Sequence, residues 1–166
     1  MPQDEQREAI DATSSLMETQ VGHEPPNPVL AAVLAVTGYT TPIHVATIAE
    51  CGEAGTTWHV LGCTERILFQ VTGHKAVSDW SAGREGDPDG DASVTARVVP
   101  LSRLTSMVLE LSDGSPGSGD PGLRLCGTRQ ISCEPGDELA LPTDADNPDT
   151  REALKGIART VLAAMI

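Results

Sequence analysis

Apolar and polar residues alternate in short runs along the middle of this chain, and apolar positions recur every three or four residues most clearly at the C-terminus. Period-two alternation suits a pleated strand with one face on a core, so residues 43–49, 57–61, 67–72, 94–99, 104–112, 123–126 and 138–141 are predicted strands. Cys51-Gly52-Glu53-Ala54-Gly55 is turn chemistry between the first two and makes them a hairpin, and the polar break at residues 62–66 returns the chain as a third strand. In 104–112, Met107, Leu109 and Leu111 share one face and Ser106, Glu110 and Ser112 the other, as in a half-solvated strand. Pro100, just ahead of it, marks a strand end or an edge bulge.

Helical signals stand at the two ends. In residues 149–166, Leu154, Ile157, Ala158, Val161, Leu162 and Met165 form one face, while Arg151, Lys155 and Arg159 repeat every four residues on the other. Asp149 with Glu152 three residues on is a capping box, and Asn147 followed by Pro148 is an equally good start. Residues 4–21 carry Ile10, Leu16, Met17 and Val21 at roughly helical spacing, which predicts an N-terminal amphipathic helix. The proline-rich segment 22–28 after it reads as a linker, giving an extension at 1–28 and a single domain at 29–166. The run 29–37 suits a helix start as well as a buried strand, and the reading adopted is a strand. Segments 73–92 and 113–122, rich in Gly, Asp, Ser and Pro, read as long flexible loops, the first anchored by Trp80.

A meander of about seven strands closed by one C-terminal helix resembles the bacterial PH-like (pleckstrin-homology-like) domain. Two segments are similar to recurring pieces of that family: Trp58-His59-Val60-Leu61-Gly62-Cys63-Thr64-Glu65-Arg66-Ile67-Leu68-Phe69, a hairpin carrying Thr-Glu-Arg, and Val98-Val99-Pro100-Leu101-Ser102-Arg103-Leu104-Thr105-Ser106-Met107, a Pro-Leu-Ser strand start. The resemblance implies an α+β, mainly β fold in which a bent antiparallel sheet or open barrel is capped by the terminal helix, with the N-terminal helix as an extension. The chain departs from the family at Gly62 and Cys63, and it lacks the basic loop with which lipid-binding members meet phosphoinositides.

Composition then narrows the partners. A net charge of −13 with only 11 basic residues opposes sequence-independent binding of nucleic acid or anionic lipid, which both need a cationic field. The longest apolar run is too short to span a bilayer, so no membrane insertion is expected. Cys51, Cys63, Cys126 and Cys133 match no zinc spacing, and a reduced, cytoplasmic protein with buried thiols and no metal or other cofactor is the simplest account.

Candidate chemistry is sparse. Asp87-Pro88-Asp89-Gly90-Asp91 starts like a calcium loop, but Ala92 and Val98 stand where that loop needs its Gly and its Glu. His44 and His59 are predicted to lie across one hairpin, where a Cys51 or Cys63 thiolate with a histidine base is conceivable; core thiols and surface histidines are the commoner outcome. No nucleophile elbow, phosphate loop, zinc-protease or dinucleotide motif occurs. The expectation is therefore a non-enzymatic interaction or scaffolding module that binds a protein partner, with self-association open. The contact candidates are Trp58, Trp80 and the basic stripe Arg151, Lys155 and Arg159. The alternative is a small-molecule-binding β-barrel protein or enzyme with its ligand inside.

Overall fold

The alternating runs pair as an antiparallel meander: β1 (His44–Gly52), β2 (Gly55–Cys63), β3 (Ile67–Lys75) and β4 (Ala92–Pro100) lie side by side in chain order. The computed structural model describes residues 3–83, 91–104, 106–107, 129–132, 138–141 and 147–166, with backbone only for 106–107, 129–132 and 138–141. The chain is α+β: helices α1 (Gln3–Val21) and α2 (Asn27–Thr37) precede the sheet and α3 (Pro148–Met165) follows it.

Register sorts the strands into two faces, because directly opposed residues of an antiparallel pair share a side. One face carries Val45, Trp58, Val60, Phe69 and Val71, buried with Met17 of α1 and with Val29 and Val33 of α2. The other carries Ala46, Leu61, Cys63, Leu68 and Val99, buried with Leu101 and Leu104 beyond β4 and with Leu154, Ile157 and Val161 of α3. The sheet is thus the middle layer of three.

Gly62 and Gly156 show how closely these layers approach. A Cβ at Gly62 would strike the Phe69 ring directly, so the ring can lie across β2 only because position 62 has no side chain. On the opposite face a Cβ at Gly156 would come within 2.5 Å of the His44 ring, which sets how closely α3 approaches β1.

Among the described residues the expected single sheet of about seven strands does not form: four strands make the main sheet, and the short β5 (Ser106–Met107), β6 (Arg129–Ser132) and β7 (Glu138–Leu141) pair separately. The remainder of predicted strands 104–112 and 123–126, apart from Leu104, Ser106 and Met107, lies outside the described residues, as do residues 84–90 and 113–122 of the predicted loops. The predicted loop from 73 is shortened at both ends, since β3 runs on to Lys75 and β4 starts at Ala92.

Residues 29–37, read as a strand, are helical. Pro28 stands in the first turn, and the Gly38 and Tyr39 amides donate back to Ala35 and Leu34 through a left-handed Gly38, φ 63°. This proline-in, glycine-out punctuation decides a run whose apolar pattern has no period of its own.

α1 also differs from its predicted face. It buries Ala9, Thr13, Met17 and Gln20, while Leu16 is 40% exposed. Small and polar residues form the contact because α1 sits against edge strand β1 and meets its backbone. The Gln20 amide donates to Val45 O at 2.6 Å and its Oε1 accepts from Thr47 N at 2.8 Å. At the start of α3, Thr150 Oγ1 donates to Thr47 O at 3.4 Å, and Asn147 Nδ2 donates to Gln20 O at 2.8 Å. The outer side of β1 is therefore bonded at Val45 and Thr47 by side chains from both terminal helices, which blunts the pairing hazard of an open edge there.

Candidate functional site

α3 packs on β1, β2 and the turn after β4, and so covers only one end of its sheet face. Toward the other end the same face turns polar. Strand register sets Glu50 beside Thr57, Thr57 beside His74, His59 beside Thr72, Thr72 beside Thr95, and Gln70 beside Arg97. Each of these positions is half-buried or exposed, whereas Trp58, Val60 and Val71, their neighbours along β2 and β3, point into the opposite core. Rigid strands thus hold hydroxyls, imidazoles, an amide and a guanidinium in a row that no described helix covers.

The histidines here are held by neighbours. His59 Nε2 meets Glu50 Oε2 at 3.1 Å, with side chains 15% and 59% exposed respectively, and Thr57 Oγ1 lies 2.9 Å from His74 Nδ1. These resemble two halves of a catalytic relay, but they sit on different histidines: the carboxylate orients His59, and the hydroxyl contacts His74. A hydroxyl nucleophile also needs free amides to receive a developing oxyanion. Around Thr57 the backbone belongs to the sheet ladder on both sides. The arrangement suits recognition through hydrogen bonds better than bond breaking.

The residues singled out from sequence are dispersed. Trp58 is fully buried and Trp80 is 1% exposed, the Trp58 Nε1 donating to Trp80 O at 2.8 Å; both are core, and Trp80 anchors its loop as expected. His23 closes over this pair, its ring edge-on to Trp58 at 5.5 Å between centroids. On α3, Glu152 lies 3.5 Å from Lys155 and 3.8 Å from Arg159, so a carboxylate partly neutralises the basic stripe; Arg151 is half-buried.

His44 and His59 are not brought together: His44 stands opposite Cys63 under α3, while His59 lies four residues farther along, opposite Ile48. Cys63 is fully buried, and burial pushes its thiol above the usual 9.0 despite hydrogen bonds from Thr160 and the His44 backbone. A thiol held protonated this way is a poor nucleophile. Cys51 is exposed at the hairpin end on the opposite face, with Thr56 Oγ1 3.8 Å from its sulfur. Among the described residues no group of three or more His, Cys, Asp or Glu is placed to hold a metal, and no helix is long and apolar enough to cross a membrane. The Asp87–Asp91 motif falls outside the described residues except for Asp91.

The polar half-face was missed by sequence reasoning, yet it left a trace. Thr57 and His59, then Gln70, Thr72 and His74, are polar at every second position in strands whose intervening residues are apolar or small. Such alternation marks a sheet face open to solvent or to a partner. Comparison with known proteins gives no match: no family model fits the chain, and no curated protein or solved structure is significantly similar to it.

Proposed function

We propose that this chain is a non-enzymatic interaction module and that a protein partner docks on the polar half of the α3-side sheet face, which no helix covers among the described residues. The observation that carries the reading is the row of Thr57, His59, Gln70, Thr72, His74 and Arg97 on rigid strands beyond the reach of α3. A surface of this kind offers donors and acceptors in fixed positions, which gives specificity at low ordering cost.

The order of elements supports the PH-like resemblance: a four-stranded meander, a second three-stranded set and one C-terminal helix. In this reading Gly62, the departure from the family's hairpin, is an accommodation of Phe69. In the small-molecule alternative Trp58, Trp80 or the cysteines would line the ligand; the interaction reading is favoured because Trp58 and Trp80 pack against each other and the core.

The test is quantitative affinity capture from the native host with the wild-type chain and a His59→Ala/Thr72→Ala/Arg97→Glu triple variant, whose folding is confirmed by thermal unfolding. The expected result is one or more proteins enriched by the wild type and lost with the variant. Identical enrichment by both chains would overturn this docking face. A thermal-shift screen against metabolites and nucleotides separates the alternative, since a ligand at a hundred times its dissociation constant stabilises by about 2.7 kcal/mol.

A further inference from the structure

The two edges of the main sheet are treated differently. On the outer side of β1, Val45 O and the Thr47 N–H and C=O are bonded by Gln20 and Thr150, whereas β4 has no strand on its outer side among the described residues. Leu101 N donates to Arg66 O, and with the β3–β4 register this turns the odd-numbered residues of β4 toward β3. The N–H and C=O of Val94, Ala96 and Val98 therefore face outward, and Pro100, which has no N–H, falls on the same outward side.

We propose that β4 pairs antiparallel with β4 of a second copy about a two-fold axis through Ala96, joining two sheets into one. The sequence of β4, Ala92-Ser93-Val94-Thr95-Ala96-Arg97-Val98-Val99-Pro100, is self-complementary about that point. Ala96 meets Ala96 with both amides bonded, Val94 meets Val98, and Arg97 meets Thr95, so no like charges oppose each other. Val94, Ala96 and Val98 share the face on which α2 packs. Val98 is 44% exposed and Ala96 is exposed in the single chain, an apolar strand pattern left partly open at this edge.

Charge points to the same occupant. The chain carries −13, so two copies repel unless they meet where carboxylates are absent. Neither Asn27–Thr37 nor Ala92–Pro100 contains an acidic residue, and α2 has no charged residue at all although Ala31 and Ala35 are exposed on it. A helix apolar on every side is ordinarily one that becomes covered. β4–β4 pairing would set the two α2 helices on one face of the joined sheet and leave both polar half-faces on the other. The inference stands on the edge geometry and does not depend on which partner that polar face binds.

The experiment is analytical ultracentrifugation of the full chain with Val98→Lys and Ala96→Pro, alongside disulfide trapping of Ala96→Cys in a Cys51→Ser background with oxidised glutathione. The wild type is expected to reach twice the 17.4 kDa chain mass as concentration rises. Val98→Lys, changed at a position 44% exposed in the single chain, is expected to leave the thermal unfolding midpoint near that of the wild type and to raise the dissociation constant at least about tenfold, a loss of ~1.4 kcal/mol. Ala96→Pro should act in the same direction by deleting the central N–H. Across the axis the Ala96 Cα atoms would lie about 5.5 Å apart, within disulfide reach, whereas two copies of residue 92 would lie about 27 Å apart. Ala96→Cys should therefore form a covalent dimer much faster than Ala92→Cys. A wild type of single-chain mass at every concentration, a dimer unmoved by both β4 variants, or equal trapping at 96 and 92 would overturn the proposal.

Discussion

Replacing Gln20 with Met tests how the N-terminal helix is tied to the sheet. The two side chains are close in volume, so no cavity opens, but Val45 O and Thr47 N each lose their amide partner. Both groups belong to residues no more than 2% exposed, where water cannot readily replace it. A buried backbone group left unpaired costs about 1–3 kcal/mol, so the pair should cost about 3 kcal/mol after partial relaxation. That is a large share of the ~5–15 kcal/mol by which a domain is stable. Urea unfolding followed by the fluorescence of Trp58 and Trp80, both buried, reads the loss directly. With a slope of about 2 kcal/mol/M the midpoint should fall by about 1.5 M at unchanged slope. A fall below ~0.25 M, the size of an ordinary surface substitution, would refute the claim that Gln20 bonds the β1 edge at Val45 and Thr47.

Other substitutions probe the remaining contacts. Thr13 and Thr47 bury hydroxyls that have no hydrogen-bond partner, so Thr13→Val should raise stability by about 1 kcal/mol in the same urea assay; a loss would show that the hydroxyl is satisfied in solution. Gly62→Ala forces the Phe69 ring off β2 and should cost about 3 kcal/mol, checked by unfolding and by the displaced ring resonances in NMR spectra. Cys63 has its thiol pushed above 9.0, so below that pH the folded and unfolded chains are equally protonated at this group. Above it the unfolded chain ionises first, and stability should drop with rising pH. Denaturation of wild type and Cys63→Ala on both sides of 9.0 checks this: the pH-dependent loss should be smaller in the variant.

The parts of the fold that local physics determines were readable from sequence. β1 to β4 appear where period-two alternation placed them, and α3 starts at Asn147, whose side chain accepts from Asp149 N at 2.8 Å, one of two starts the sequence offered. Where tertiary contact decides, pattern misled. Residues 29–37 have apolar residues on all sides, so hydrophobicity alone carried no period, and the informative signals were Pro28 and Gly38 at its ends. α1 was assigned the face of its largest apolar residues, Ile10, Leu16, Met17 and Val21, but of these only Met17 is fully buried. A helix meeting a strand edge needs hydrogen-bonding and small side chains there, and Gln20 was invisible to a search for hydrophobic residues. The tryptophans stand out as rare aromatics in an aliphatic chain, and both are buried in the core rather than presented on a contact surface. The polar half-face needed the register, because His59 on β2 and His74 on β3 become neighbours of Thr72 and Thr57 only once the strands are aligned.

The asymmetry of the two sheet edges underlies both the fold and the proposed assembly, and residue-resolved amide hydrogen exchange in dilute protein tests it most directly. The Thr47 amide, held by Gln20 on the β1 edge, should exchange only as slowly as global unfolding allows, while the outward amides of Val94, Ala96 and Val98 exchange orders of magnitude faster and slow down as concentration rises. Thr47 exchanging as fast as Ala96, or β4 amides equally protected at every dilution, would contradict the account.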